Sequence, residues 1–157
     1  MPTSEDLEGV LRGAELRVTR PRLAVLAAVH RLAHADTATI TEHVRREAGD
    51  VSSQAVYDVL HAFTAAGLVR RIQPEGSVAR YEARVGDNHH HLICRTCGAI
   101  EDVDCAVGHA PCLAVDDDHG YVIDEAEVVY WGTCPMCTAT TAATEHLPSE
   151  EVSHVQR

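Results

Sequence analysis

The chain has 157 residues, is 45% hydrophobic, and sets 24 acidic against 13 basic side chains for a formal net charge of -11. Taken whole, that balance excludes an indiscriminate binder of nucleic acid or anionic membrane. No charged-then-apolar leader opens the sequence and no apolar run reaches the length of a membrane span, so the expectation is a cytoplasmic protein with no membrane partner.

The charge is unevenly placed. Through Gly86 there are 11 arginines, 11 acids and no cysteine; beyond it Arg95 and Arg157 face 13 acids, and all six cysteines are found there. A change this sharp reads as two modules, of which the neutral one can gather arginines on a face that meets a polyanion. Every basic residue is arginine.

In chain order, residues 4–13 read as a short helix that Ser4 can cap, with acids in its first turn. Thr19 and Pro21 open a second helix, with Leu23, Leu26, Ala27 and His30 along one stripe. A break at Ala35-Asp36-Thr37 precedes a third helix from Ile40 to Ala48. The fourth spans 51–67, capped by Ser52 or Ser53, with Val56, Val59, Leu60 and Phe63 inward and Gly67 closing it. Strands at 68–72 and 78–82 flank a turn. Helices in sequence followed by a small antiparallel hairpin predict a winged helix-turn-helix, a pattern that also suits an interaction module.

The second module predicts strands at 91–94 and 100–103, a further strand or two within 121–131 around an acidic turn, and one helix within 105–118 limited by Pro111. From Thr138 onward the sequence lacks a periodic apolar face and reads as a loosely ordered tail.

Cys94-Arg-Thr-Cys97 and Cys134-Pro-Met-Cys137 are two CxxC pairs separated by 36 residues. Each turns two sulfurs toward one point, and two such pairs supply the tetrahedral thiolate set that Zn2+ prefers, with no position open for substrate. Redox dithiols and a disulfide framework are the alternatives. Just before the first pair, alternation along a strand puts His89 and His91 on one face and His90 on the other. With His34, Glu82 and Asp102 they would make a mixed nitrogen and oxygen set suited to Fe2+, Mn2+ or Zn2+. The bland reading of the histidine run is a solvated polar loop.

Thr19-x-x-Arg22, Val51-Ser-x-x-Ala-Val-Tyr57-x-Val-Leu60, His89-x-His91-Leu-Ile-Cys94-x-x-Cys97-Gly98 and Cys134-Pro-x-Cys137 together resemble the ferric uptake regulator family over roughly residues 8–137. The stretches 86–98 and 102–108 are most similar to actinobacterial members paired with catalase-peroxidase genes. The resemblance implies an α+β fold: an N-terminal winged helix-turn-helix domain (1–84), a hinge (85–88), and a small C-terminal α/β dimerisation domain (89–140) with structural zinc, ahead of a disordered tail (141–157). It implies a homodimeric, metal-dependent repressor, not an enzyme, with double-stranded operator DNA as partner and no organic substrate. Structural Zn2+ falls on Cys94, Cys97, Cys134 and Cys137. Regulatory Fe2+ or Mn2+ falls on His34, Glu82, His89, His91 and Asp102, where peroxide-sensing members suffer histidine oxidation.

A further metal position of several relatives falls on Asn88, His90, His109 and Ala126; only two of these can coordinate, leaving a degenerate third site of His90, His109 and His119. Asp58 stands where many relatives carry arginine. Ser52, Ser53, Gln54 and Tyr57 of the fourth helix are candidate base readers, and Arg20, Arg22, Arg70, Arg71 and Arg80 candidate phosphate contacts. Cys105 and Cys112 read either as redox thiols or as small buried apolar residues. A metal-abundance sensor on the same fold is the principal alternative. A metallohydrolase, with Glu82 or Asp102 as base, and a metal-buffering protein are the others.

Overall fold

The computed structural model describes residues 1–74, 76–87, 89–104, 117–122 and 128–144, the last four of these by backbone only. The chain divides into two compact units, Met1–Asp87 and Asn88–Arg157.

In the first unit α1 (Ser4–Gly13) spans the residues its sequence suggests, with a different cap. Thr3, not Ser4, is the cap: its hydroxyl accepts from the Asp6 N–H at 3.2 Å and the Asp6 carboxylate accepts from the Thr3 N–H at 2.8 Å. Leu7 and Leu11, one turn apart, are buried. Helix α2 (Arg20–Arg31) is capped by Thr19 with Pro21 in its first turn. Its core stripe is Val25, Leu26, Ala28 and Val29, whereas Leu23 and Ala27 are half-buried and His30 is exposed. The expected stripe is therefore rotated, because α2 is flanked by α1, α3 and α4 and buries a wider arc than one seam.

The expected break after α2 is instead strand β1 (Ala35–Asp36), and helix α3 (Thr37–Ala48) begins three residues before Ile40. Asp36 sets that start by accepting from the Thr39 N–H at 2.8 Å. Helix α4 (Ser53–Ala65) is capped by Ser52 and buries Val56, Leu60 and Phe63. Gly67, at φ 67°, ends it in the left-handed turn anticipated for it, with the Leu68 N–H reaching the Phe63 carbonyl at 2.9 Å. Strands β2 (Arg70–Ile72) and β3 (Arg80–Glu82) pair antiparallel, and β1 joins the other edge of β3, giving the order β1-β3-β2. The wing is thus three-stranded, not a bare hairpin. Leu11, Leu26, Ile40, Val56, Leu60 and Phe63, all fully buried, form the centre of one core; each such side chain contributes about 1.5–3 kcal/mol by leaving water.

The second unit contains β4 (His89–Cys94), β5 (Ile100–Asp104) and β6 (Val129–Gly132) in the order β5-β4-β6. Strand β4 pairs antiparallel with β5, His91 opposite Asp102, and parallel with β6, Leu92 beside Tyr130. No strand forms at Tyr121 and Val122, which follow a turn where Asp117 and Asp118 carboxylates accept from the His119 and Gly120 N–H groups. Helix α5 (Pro135–Thr144) runs through residues expected to begin a loose tail. It starts at a proline, which suits the first helical position, and its first turn holds Cys137. The helix expected within 105–118 and the tail beyond 144 fall largely outside the described residues, as do Cys105, His109 and Cys112. Among the described residues no helix is long and apolar enough to cross a membrane.

Candidate metal centres and reading helix

The four CxxC cysteines come together at the end of β4 and the start of α5. One sulfur from each lies within 4.8 Å of the others. Two backbone features aim the first pair: Gly98, at φ 71°, lets the chain reverse so that its N–H reaches the Cys94 carbonyl at 2.9 Å, and Arg95 N–H bonds the Gly132 carbonyl at 2.8 Å, tying the two knuckles side by side. The Cys97 and Cys134 sulfurs are 3.7 Å apart. A tetrahedral site with Zn–S bonds of about 2.3 Å has edges of about 3.8 Å, so the donor set fits Zn2+. None of the four is disulfide-bonded, which removes the disulfide-framework alternative for them.

Their acidities differ. The Cys134 N–H, 3.3 Å from Cys94 Sγ, together with N–H groups of the first knuckle, holds the Cys94 thiol down at about 5. The Cys134 and Cys97 sulfurs crowd Cys137, whose thiol is pushed up to about 12.

The mixed donors are built as two half-sets, one in each unit. In the first unit His34 takes a left-handed backbone, φ 58°, directly before β1. This turns its Nε2 onto Glu82 Oε2 at 3.0 Å, both side chains buried. Arg80 donates to the His34 carbonyl at 3.1 Å and Arg70 Nε faces Glu82 Oε1 at 3.8 Å. Two arginines assigned to DNA by sequence therefore also brace this pair, an arrangement with no local signal because β2, β3 and the residue before β1 are brought together only by the wing.

In the second unit His89, His90 and His91 are all buried on β4, so they are not a solvated loop. Alternation puts His89 and His91 on one face, their rings 4.9 Å apart and edge-on. Both Nε2 atoms approach Asp102 Oδ1, at 3.9 and 3.6 Å. These gaps exceed a hydrogen bond but are close to the spacing of donors around one ion held at about 2.0–2.2 Å. His90 packs on the other face with Tyr130, ring centroids 6.1 Å apart. His119 lies exposed beside Asp117, and among the described residues neither it nor His90 joins a cluster of three or more ligands.

On α4, Ser53, Gln54, Tyr57 and Asp58 are exposed, and Ser52 spends a lone pair on the Ala55 N–H at 3.1 Å. Gln54 Nε2 donates to Asp58 Oδ1 at 2.7 Å. Sequence reasoning missed Arg45, which bonds the Val51 carbonyl at 2.8 Å and Ser53 Oγ at 3.4 Å and so fixes how α3 meets the start of α4. Tyr57, Arg71, Val78 and Tyr81 line a groove of about 260 Å3 with Asp36, Thr37, Ala38 and Ala79, between α4 and the wing. Arg20 is exposed at the start of α2, Arg22 bonds the Arg17 carbonyl at 2.9 Å, and Arg71 bonds Gln73.

A winged helical unit followed by a small sheet carrying a four-cysteine candidate metal site defines a metal-site-bearing protein of the winged-helix class. The ferric uptake regulator family model matches residues 13–130, and the chain belongs to this family. It is 63% identical over 146 residues to transcriptional regulator FurA of Mycobacterium tuberculosis, covering 93% of this chain and 99% of that one. Ferric uptake regulation protein 1 of Mycolicibacterium fortuitum is 66% identical over 128 residues, 82% of this chain and 80% of the relative. A solved structure of the ferric uptake regulator from Pseudomonas aeruginosa with manganese, 26% identical, superposes with a TM-score of 0.68 over 82% of this chain and 98% of the other. Membership makes the chain a regulator and not an enzyme.

Proposed function

We propose that the chain is a metal-dependent, homodimeric transcriptional repressor that acts in the cytoplasm on a pseudopalindromic operator and is released by peroxide. The observation that carries the reading is the pair of mixed nitrogen and oxygen half-sets, His34 with Glu82 in one unit and His89 with His91 and Asp102 in the next. A DNA-binding domain of 1–84, a hinge of 85–88 and a dimerisation domain of 89–140 assign one half-set to each side of the hinge. A single Fe2+ or Mn2+ taking ligands from both would hold the domains at one angle and lower the ordering cost of binding DNA. Zn2+ in the cysteine cluster is structural.

Fe2+ when bound supplies one-electron chemistry toward hydrogen peroxide beside its own ligands. Oxygen added to the ring of His34 or His89 would leave its nitrogens amide-like and poor donors, and the two domains would lose their tie. On α4, Ser53, Gln54 and Tyr57 read base edges, Gln54 with an amide able to pair with adenine, and Arg20 and Arg71 position the duplex through phosphates. The resemblance of 86–98 and 102–108 to actinobacterial members paired with catalase-peroxidase genes supports control of such or related oxidative-stress genes and of the chain's own gene.

The test is DNA retardation on the protein's own promoter with metal-free, Mn2+-loaded and Fe2+-loaded protein, each with and without peroxide, followed by mass spectrometry. Metal should be required for retardation, and peroxide should release only the iron form with added oxygen on His34 or His89. Unchanged histidines alongside lost DNA binding reject ligand oxidation. The name of the Mycolicibacterium relatives, ferric uptake regulation protein, favours iron abundance as a second signal; retention of the iron form on DNA under peroxide selects that reading.

A further inference from the structure

Glu82 is held by both of its oxygens. Oε2 meets His34 Nε2 at 3.0 Å and Oε1 faces Arg70 Nε at 3.8 Å, with 3% of the Glu82 side chain exposed. Arg70 and Glu82 are direct partners across β2 and β3, so strand register and not a flexible linker sets their encounter. A buried carboxylate needs a compensating charge. His34 supplies a hydrogen bond, whereas Arg70 is always cationic and brings a full positive charge. The separation is looser than a bidentate arginine–carboxylate fork, and 22% of the Arg70 side chain reaches solvent on the wing. The pair is built to hold without locking.

We infer that Arg70 is the resident counter-ion of Glu82: it competes with a divalent metal for that carboxylate, and metal binding releases its guanidinium to a DNA phosphate at the wing. This rests on the reading of Glu82 as a metal ligand. Two effects follow. With Arg70 present the metal-free state is favoured, because the cation attracts an ionised Glu82 but repels a bound divalent ion, so metal affinity is set lower than the donors alone would give. Loading with metal then adds a phosphate contact on the same wing, inside one unit and independent of any change at the hinge.

The experiment uses the full-length, zinc-loaded chain and Mn2+ as probe, titrated by electron paramagnetic resonance, in wild type, Arg70→Gln, Arg70→Thr and Arg70→Lys. The two neutral variants should bind Mn2+ about tenfold more tightly, a modest shift because the arginine is partly solvated, while the lysine variant stays near wild type. At saturating Mn2+, Arg70→Gln should weaken retardation uniformly across operator sequences and lower the salt slope by about one per protomer. Unchanged or weaker Mn2+ binding in both neutral variants, at wild-type zinc content and helicity, overturns the inference. So does unfolding of both, which would make Arg70 a plain structural brace. Wild-type protein that takes up no Mn2+ beyond its zinc overturns the metal-site reading and this inference together.

Discussion

At the scale of single residues, two backbone positions do unusual work. Glu15 and His34 both sit in the left-handed region, at φ 57° and 58°, where a side chain other than glycine costs about 1–2 kcal/mol. At Glu15 the conformation closes α1: its N–H bonds the Arg12 carbonyl at 3.0 Å and the Leu16 N–H bonds the Leu11 carbonyl at 2.9 Å. The fold keeps the turn but uses an ill-suited residue for it. Glu15→Gly should therefore stabilise the first unit by up to about 1 kcal/mol after the greater flexibility of unfolded glycine is counted, read as a higher midpoint in urea at unchanged slope. A lower midpoint would show that the Glu15 side chain contributes more than its backbone costs. At His34 the same conformation turns the imidazole onto Glu82, held by Arg80 on the His34 carbonyl. The cysteine cluster is legible in sequence because each CxxC is a local unit whose spacing alone dictates geometry. The His34–Glu82 pair lies 48 positions apart and has no such local signature; sequence joins the two only as candidate donors of one mixed nitrogen and oxygen set.

At the scale of elements, Asp36 links wing and helix. It is a strand residue paired with Arg80 and also the cap of α3, its carboxyl held below the ordinary carboxylate value chiefly by the Thr39 backbone N–H and further by the Thr39 side chain. Asp36→Ala should cost about 1 kcal/mol through the lost cap, and Asp36→Asn, which caps as well, should restore most of it. A folded value lying below the unfolded one means the carboxylate contributes stability above that unfolded value, and that this contribution fades as pH falls through the folded value. The gap between wild type and Asp36→Ala, measured by denaturant at a series of pH values, should thus be full at pH 7 and narrow below about pH 4, where Asp36→Asn shows no such trend. A gap independent of pH would assign Asp36 to packing. Helices α1 to α4 and the β2–β3 pair were legible from caps, apolar spacing and glycine stops. Strand β1 was not, because two residues carry no period; their strand character comes wholly from the edge of β3. The run from Thr138 lacks a periodic apolar face and reads as a loosely ordered tail, yet through Thr144 it belongs to α5, anchored by the cysteine knuckle at its first turn.

At the scale of the whole molecule, the net charge of -11 averages a balanced first module with an acidic second one, and the two differ as much in what holds them together. The first unit owns a continuous apolar core from Leu7 to Tyr81. Among the described residues of the second, the buried apolar set is Ile93, Cys94 and Ile100, while Leu92, Tyr130 and Trp131 are exposed. Among the described residues the four-cysteine cluster joins the end of β4 to the start of α5, and a metal held there would close the loop between the two knuckles. Trp131, the single tryptophan, lies on β6 with the Arg95 guanidinium 5.0 Å above its ring, and reports on this unit alone. Cys134→Ser, or zinc removal by chelator, should abolish the Arg95 contact over Trp131 and so change the intensity of its emission. Most of the far-ultraviolet helical signal, which comes from α1 to α4, should remain and melt in its own transition. Zinc content by metal analysis should fall in parallel with the tryptophan change. Native tryptophan emission in a zinc-free protein would mean that the second unit folds on apolar burial after all, and a simultaneous loss of both signals would mean that the first unit depends on the second.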